Sequence, residues 1–256
     1  MVLIVDADTI LSRKYIEKSL MYIDAGYSGV GGVFTGKLGF GFLGWCQRNE
    51  FARYKYDVKK LKGKAIVLTG TSAMFTVSAL RDVCNSRPAG NVYDTEALTE
   101  DAEISLRLKH LGHEIIAPVE CATSTDIMPT WKALYKQRLR WRKGFVDNLR
   151  SFGITKHTWE YWLRQAFAAM GICVTALYLT TLAFVLLFVQ SLAVHPIFLA
   201  MTGVFVLERV LTVRKRGFLT TVAASVMIIE LVYEVFLQAT YGVAYVKALT
   251  NSKGEW

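Results

Sequence analysis

The chain has 256 residues, enough for one large domain or two modest ones. Apolar residues make up 53%, above the usual share for soluble domains, and the excess lies after residue 165, which argues for a soluble part followed by a membrane part. The formal charge of +9 is concentrated at 131–150 and 209–216, and no nucleic-acid motif organises it, so phosphates or anionic headgroups are the expected partners and nucleic acid is excluded.

Cys46, Cys84, Cys121 and Cys173 are widely spaced, with no C-x-x-C, which points to reduced thiols rather than a disulfide framework or a zinc site. Residues 2–5 form an apolar run that fits a buried strand of an α/β sheet, and Asp6-Ala7-Asp8 follows. Carboxylates at i and i+2 beyond a strand can share one hard cation such as Mg²⁺ or Mn²⁺; the same residues also suit a turn in which Asp8 or Thr9 caps a helix. The pattern predicts a helix over 10–23, strand and loops over 26–44, a helix over 45–61 and an apolar strand over 65–68. Gly70, Thr71 and Ser72 come next, small residues that let a backbone approach a ligand closely, or simply make a strand-to-helix turn.

Thr99-Glu100-Asp101 opens the next predicted helix, with Ile104, Leu108 and Leu111 at helical spacing and Gly112 beyond its end. A threonine cap with acids in the first turn is ordinary helix chemistry, and Asp101 at a sheet edge can also accept a proton. A strand is expected over 113–122. From Pro129 a helix is expected to run to about Leu149, with Trp131, Leu134, Tyr135, Trp141, Phe145 and Leu149 as an apolar stripe and basic residues elsewhere, as suits an amphipathic helix at a membrane interface. Gln137, Arg140 and Trp141 share one of its faces.

Residues 166–190 carry no charge and are long enough to span a bilayer, with Trp159, Tyr161 and Trp162 as an aromatic belt before them. A second, shorter span is expected at 196–207 and a third at 218–246, with Glu230 and Glu234 one turn apart facing other helices. The basic segments orient the first domain toward the cytoplasm.

The order D-A-D, G-T-S-A-M-F, T-E-D and Q-R-L-R-W, then hydrophobic spans, resembles the family-2 inverting glycosyltransferases, most of all the membrane-bound processive synthases of cellulose, hyaluronan, chitin and poly-N-acetylglucosamine. The resemblance implies a partial GT-A, Rossmann-like α/β domain at 1–128, an interfacial helix region at 129–165 and about three membrane helices at 166–256, in a multi-pass protein of the plasma membrane. It implies Asp6 and Asp8 as ligands of Mg²⁺ or Mn²⁺ and of the nucleotide diphosphate. Asp101 matches the base, with Glu100 beside it. Gln137, Arg140 and Trp141 fall by the diphosphate and the acceptor end, and Gly70, Thr71 and Ser72 on the acceptor side. The donor implied is a UDP-sugar and the acceptor a glycan or glycolipid. Set beside the family, the part that binds the nucleotide base is missing ahead of Asp6. That raises three readings: a truncated reading frame, a split enzyme whose other half is a separate chain, or a non-catalytic membrane partner. Transfer to a polyprenyl phosphate is a further alternative, and Q-x-x-R-W argues against it.

Overall fold

A computed structural model describes residues 1–64, 67–184, 187–188, 203, 207, 210–211 and 227–250. Two small sheets carry the first half of the chain. In one, β1 (Val2–Val5) pairs antiparallel with β5 (Ser72–Phe75), β5 antiparallel with β3 (Gly29–Gly31), and β3 parallel with β6 (Ile115–Ile116). In the other, β2 (Ile10–Leu11) pairs antiparallel with β7 (Ala122–Thr125), which runs parallel to β4 (Val33–Gly36).

The helices are α1 (Tyr15–Asp24), α2 (Gly41–Lys60), α3 (Val77–Asn85), α4 (Glu100–His110), α5 (Trp131–Phe152), α6 (Trp159–Phe184) and α7 (Met227–Leu249). The main core joins Val33, Leu68 and Phe75 to Val83 of α3 and to Ile104 and Leu108 of α4. The apolar positions of α4 recur at i and i+4, so one face reaches this core. That burial fixes which way the first turn of α4, with Asp101, must point.

Several local expectations give way to pairing at a distance. Ile10 and Leu11 are drawn into a strand opposite Ser124 and Thr123, so the first helix starts only at Tyr15. Helix α2 starts a turn earlier than the pattern indicates. The strand expected at 65–68 falls partly on residues 65 and 66, which lie outside the described residues; a strand is described at Ser72–Phe75, where β1 and β3 pair on its two sides. The single strand expected at 113–122 is split into β6 and β7, one in each sheet.

The basic helix also differs. Of the expected stripe, Leu134 is covered by α7 and Leu149 by Leu106 and Tyr161, while Trp131 and Trp141 stay exposed. Leu134 packs with Tyr233 and Leu237, and Arg150 donates to the carbonyl of Ala248. The third expected span is described from Met227 as this packed helix α7, with Tyr233, Ala244 and Ala248 fully buried. Glu234 meets Arg53 of α2 at 3.1 Å, an inter-helix contact, while the side chain of Glu230 lies outside the described residues.

The second expected span, 196–207, also falls almost wholly outside them. Among the described residues one helix is long and apolar enough to cross a membrane, Trp159–Thr181. Phe167, Met170, Val174 and Leu177 stand exposed along it.

Candidate active site

Three segments converge on Gly70. Strand β1 is paired to β5 in the register Val5↔Ser72, and the Asp6 amide donates to the Thr71 carbonyl at 3.2 Å, which lays Asp6 beside the Thr69–Thr71 turn. Helix α4 is tied to the same turn: Ser105 Oγ donates to the Asp101 carbonyl at 2.6 Å and accepts from the Leu68 amide at 2.9 Å. The Gly70 amide then donates to Asp101 Oδ2 at 3.0 Å, and the Ala102 amide to Asp101 Oδ1 at 2.7 Å. A Cβ on Gly70 would stand 3.6 Å from both Asp101 Oδ2 and Asp6 Oδ2. The two carboxylates therefore face each other across a residue without a side chain.

The T-E-D and Q-R-L-R-W stretches are joined through Thr99. A Cβ on Gly144 already lies 2.7 Å from Thr99 Oγ1, and Asn148 Nδ2 donates to the Thr99 carbonyl at 2.9 Å and to its hydroxyl at 3.1 Å. Thr99 uses its side chain on α5 and not as a helix cap.

The result is a cleft of about 760 Å³ lined by Asp6, Asp8, Gly70, Thr71, Glu100, Asp101, Gln137, Arg140 and Trp141. Ser72 is the exception among the expected site residues. It is fully buried in β5, with its hydroxyl over Gly32, whose Cβ would fall 2.1 Å from Ser72 Oγ, so it does not line the cleft. Asp8 is held at the rim: Thr125 Oγ1 and Thr9 Oγ1 each donate to Asp8 Oδ1 at 3.3 Å, and Lys37 Nζ donates to the Asp8 carbonyl at 2.9 Å.

Electrostatics follow from this crowding. Burial raises the Asp101 carboxyl above the usual carboxylate range, the two amide hydrogen bonds oppose it, and the charges of Glu100 and Asp6 add to it. Asp6 is raised by burial, then by Asp8 and Glu100, with Arg140 pulling the other way. Tyr54 is pushed up to about 12 by burial and by the Asp101 charge, and so is Tyr93, by burial and then Glu100, Asp101 and Asp6. Both phenols stay protonated. This excess of negative charge on oxygen suits a hard divalent cation. Among the described residues no group of three or more His, Cys, Asp or Glu stands together as a metal site. Asp6 and Asp8, the expected ligands, both line the cleft.

Arg138 is the residue that the motif reading passed over. It is 1% exposed, pairs with Glu50 of α2 at 3.0 Å, donates to Gln137 Oε1 at 2.6 Å, and lays its guanidinium 4.4 Å from the Trp141 ring centroid. Tyr233 of α7 donates its hydroxyl to the same Glu50 carboxylate. A signal was present: Arg138 follows Leu134 by four residues and precedes Trp141 by three, so it sits on the buried stripe.

The description of glycosyl transferase family group 2 matches residues 1–237. Two curated poly-beta-1,6-N-acetyl-D-glucosamine synthases of Staphylococcus epidermidis are each 30% identical over 105 residues, which is 40% of this chain and 24% of theirs. The match thus takes in about a quarter of each relative's length. Among solved structures, the mannosyltransferase PcManGT from Pyrobaculum calidifontis, in complex with GDP-Man and Mn²⁺, superposes with a TM-score of 0.53 over 98% of this chain and 63% of its own, at 14% identity. That likeness is one of fold.

Proposed function

The chain belongs to glycosyl transferase family group 2, and from that premise we propose that it moves a sugar from a nucleotide-diphosphate donor, a UDP-sugar, to a growing polysaccharide or glycolipid acceptor with inversion at the anomeric carbon. The observation that carries this reading is the meeting of Asp6 and Asp101 at Gly70, inside a cleft that also holds Arg140.

Asp101 is the base. Its raised carboxyl is matched to taking a proton from an acceptor hydroxyl as that oxygen attacks, and the Gly70 and Ala102 amides aim it. Arg140 meets the charge that grows on the departing diphosphate. Gln137 and Trp141 hold the sugar and acceptor end, and Gly70 and Thr71 leave room for the acceptor. Asp6 and Asp8 would hold Mg²⁺ or Mn²⁺. When bound, that cation neutralises the leaving group. One displacement with one base inverts the centre, unlike the paired carboxylates of a glycosidase.

Helix α6 spans the bilayer of the plasma membrane, and the cleft faces the cytoplasm. A second reading, in which turnover needs another chain, is favoured by β1, which stands at the edge of its sheet with Val2 and Val5 exposed.

The test is release of UDP from a panel of UDP-sugars by the chain in nanodiscs with Mn²⁺ present. Release by wild type and its loss in Asp101→Asn, with donor binding retained, supports the reading. Equal release by Asp101→Asn removes Asp101 as base. Release only after a second chain is added favours the split enzyme.

A further inference from the structure

Between β4 and α2 the chain makes a turn whose side chains point away from the protein. Leu38 is 89% exposed, Phe40 53% and Phe42 45%. Exposed apolar groups are common singly, but three within five residues form a patch that asks for a partner.

The turn is also built. Gly39, Phe40 and Gly41 take φ of 129°, 58° and 51°, the left-handed region that a phenylalanine rarely enters. Arg48 Nη1 donates to the Gly39 carbonyl at 2.9 Å and to the Lys37 carbonyl at 3.4 Å. Gly44 lets the turn press onto α2, since a Cβ there would meet the Gly39 carbonyl oxygen at 2.0 Å. Backbone strain is thus carried at Phe40 itself, whose side chain stands outward.

What surrounds the turn points to lipid. Phe42 stacks on Trp45, with centroids 6.1 Å apart, and Trp45 packs against the cluster that joins α2, α5 and α7. The exposed Trp131 edges onto Phe236 of α7 in the same region, and α7 carries Leu231 and Val232 exposed nearby. Lys132 and Lys136 stand exposed on the first turns of α5, beside Trp131. Aromatic rings with lysines at their flank match the boundary between acyl chains and anionic headgroups.

We propose that the Leu38–Phe42 turn is a membrane-interface anchor that inserts into an anionic lipid surface. It bears on the cleft directly. Lys37, next to Leu38, donates to the Asp8 carbonyl and pairs with Asp126 at 2.8 Å, so lipid contact at the turn holds one rim of the cleft against the bilayer. The inference rests on the membrane placement of α6, and the experiment reads that separately.

The full chain is prepared with Cys84 and Cys173 replaced by serine, leaving the buried Cys46 and Cys121. A polarity-sensitive fluorophore is placed at Leu38→Cys, at Phe42→Cys as a second reporter, or at Leu177→Cys on α6. Each is reconstituted in nanodiscs of phosphatidylcholine and phosphatidylglycerol. The expected result is blue-shifted emission at 38 and 42, quenched by brominated lipid, with the shift at 38 lost when Phe40→Asn is added; asparagine tolerates the left-handed backbone but not the acyl chains. Water-like emission at 38 and 42 while 177 reports lipid would overturn the anchor. So would a shielded probe that brominated lipid fails to quench, since protein would then cover the turn. Water-like emission at all three positions would remove the membrane placement itself, and the anchor with it.

Discussion

The Gly70 amide and the Asp101 carboxylate are hydrogen-bonded at 3.0 Å, and the space where Gly70 lacks a side chain is the space that Asp6 and Asp101 share. A β5-flanking turn and a helix far along the chain are thereby set as a unit, and the first test follows from it. Replacing Asp101 by Asn leaves the shape and removes the proton acceptor. Turnover should fall by on the order of 10²–10⁴-fold, the usual worth of a positioned general base, with KM for the donor little changed. Steady-state UDP release measures it; a fall in affinity alone would assign Asp101 to binding.

Gly70→Ala probes the space directly. The added methyl would sit 3.6 Å from both carboxylate oxygens, an ordinary contact, so the fold should hold its melting temperature. An acceptor hydroxyl approaching Asp101 past Gly70 would be displaced by about the width of the methyl, and misplacement of about 1 Å costs on the order of 10²-fold in rate. Melting by differential scanning fluorimetry beside UDP release separates the two effects.

The pH dependence has a definite sign. As the proposed base, Asp101 would act only when ionised, and burial, with the charges of Glu100 and Asp6, raises its carboxyl. The acid limb of kcat/KM should therefore lie above the ordinary carboxylate range, activity falling as pH drops through that raised value. Neutralising one neighbour by Glu100→Gln should move the limb toward lower pH. An unmoved limb would assign the titration to another group.

Much of the cleft lining was legible because its residues come in short runs set by local geometry: Asp6 and Asp8 past a strand, Asp101 in the first turn of a helix, Gln137, Arg140 and Trp141 on one helical face. What the motif spacing could not reveal was tertiary. Ser72 looks like a loop residue by composition, yet pairing on both sides of β5 buries it. Ile10 and Leu11 read as helix until β7 claims them. Leu134 of α5 reads as lipid-facing because nothing in its own sequence announces α7. Arg138 was grouped with the surface charges because its partner Glu50 is 88 residues away.

That buried pair makes a stability prediction. Arg138 is covered by protein, and its acidic partner on α2, Glu50, also receives the Tyr233 hydroxyl. Arg138→Ala leaves that partly exposed carboxylate with the Tyr233 hydroxyl but no cation, and should destabilise the chain by about 1–3 kcal/mol, the range for losing a hydrogen-bonded partner. Arg138→Lys keeps the charge but loses the planar group that stacks on Trp141, so it should recover only part of the stability. Chemical denaturation in detergent measures both, and full recovery by lysine would mean that charge alone matters there.

The last prediction concerns the seam between the base and the basic helix. Gly144 of α5 lies against Thr99, one of the three residues of T-E-D, so closely that a Cβ would meet Thr99 Oγ1 at 2.7 Å, Thr99 Cγ2 at 2.8 Å and Leu98 Cβ at 3.0 Å. Thr99 cannot turn away freely, because Asn148 binds both its carbonyl and its hydroxyl. Gly144→Ala must therefore push α5 from α4. Overpacking of this kind costs about 1–3 kcal/mol. Its functional cost should be larger than its cost in stability, because Arg140 and Trp141 ride on α5 while Asp101 rides on α4, and the reaction needs both at once. Asn148→Ala weakens the same seam without adding bulk, so it should lower stability but leave the helix spacing closer to native. The ordering of UDP release, wild type above Asn148→Ala above Gly144→Ala, tests whether the distance between the two helices governs the rate. Equal rates in the two variants would show that the seam matters for folding and not for catalysis.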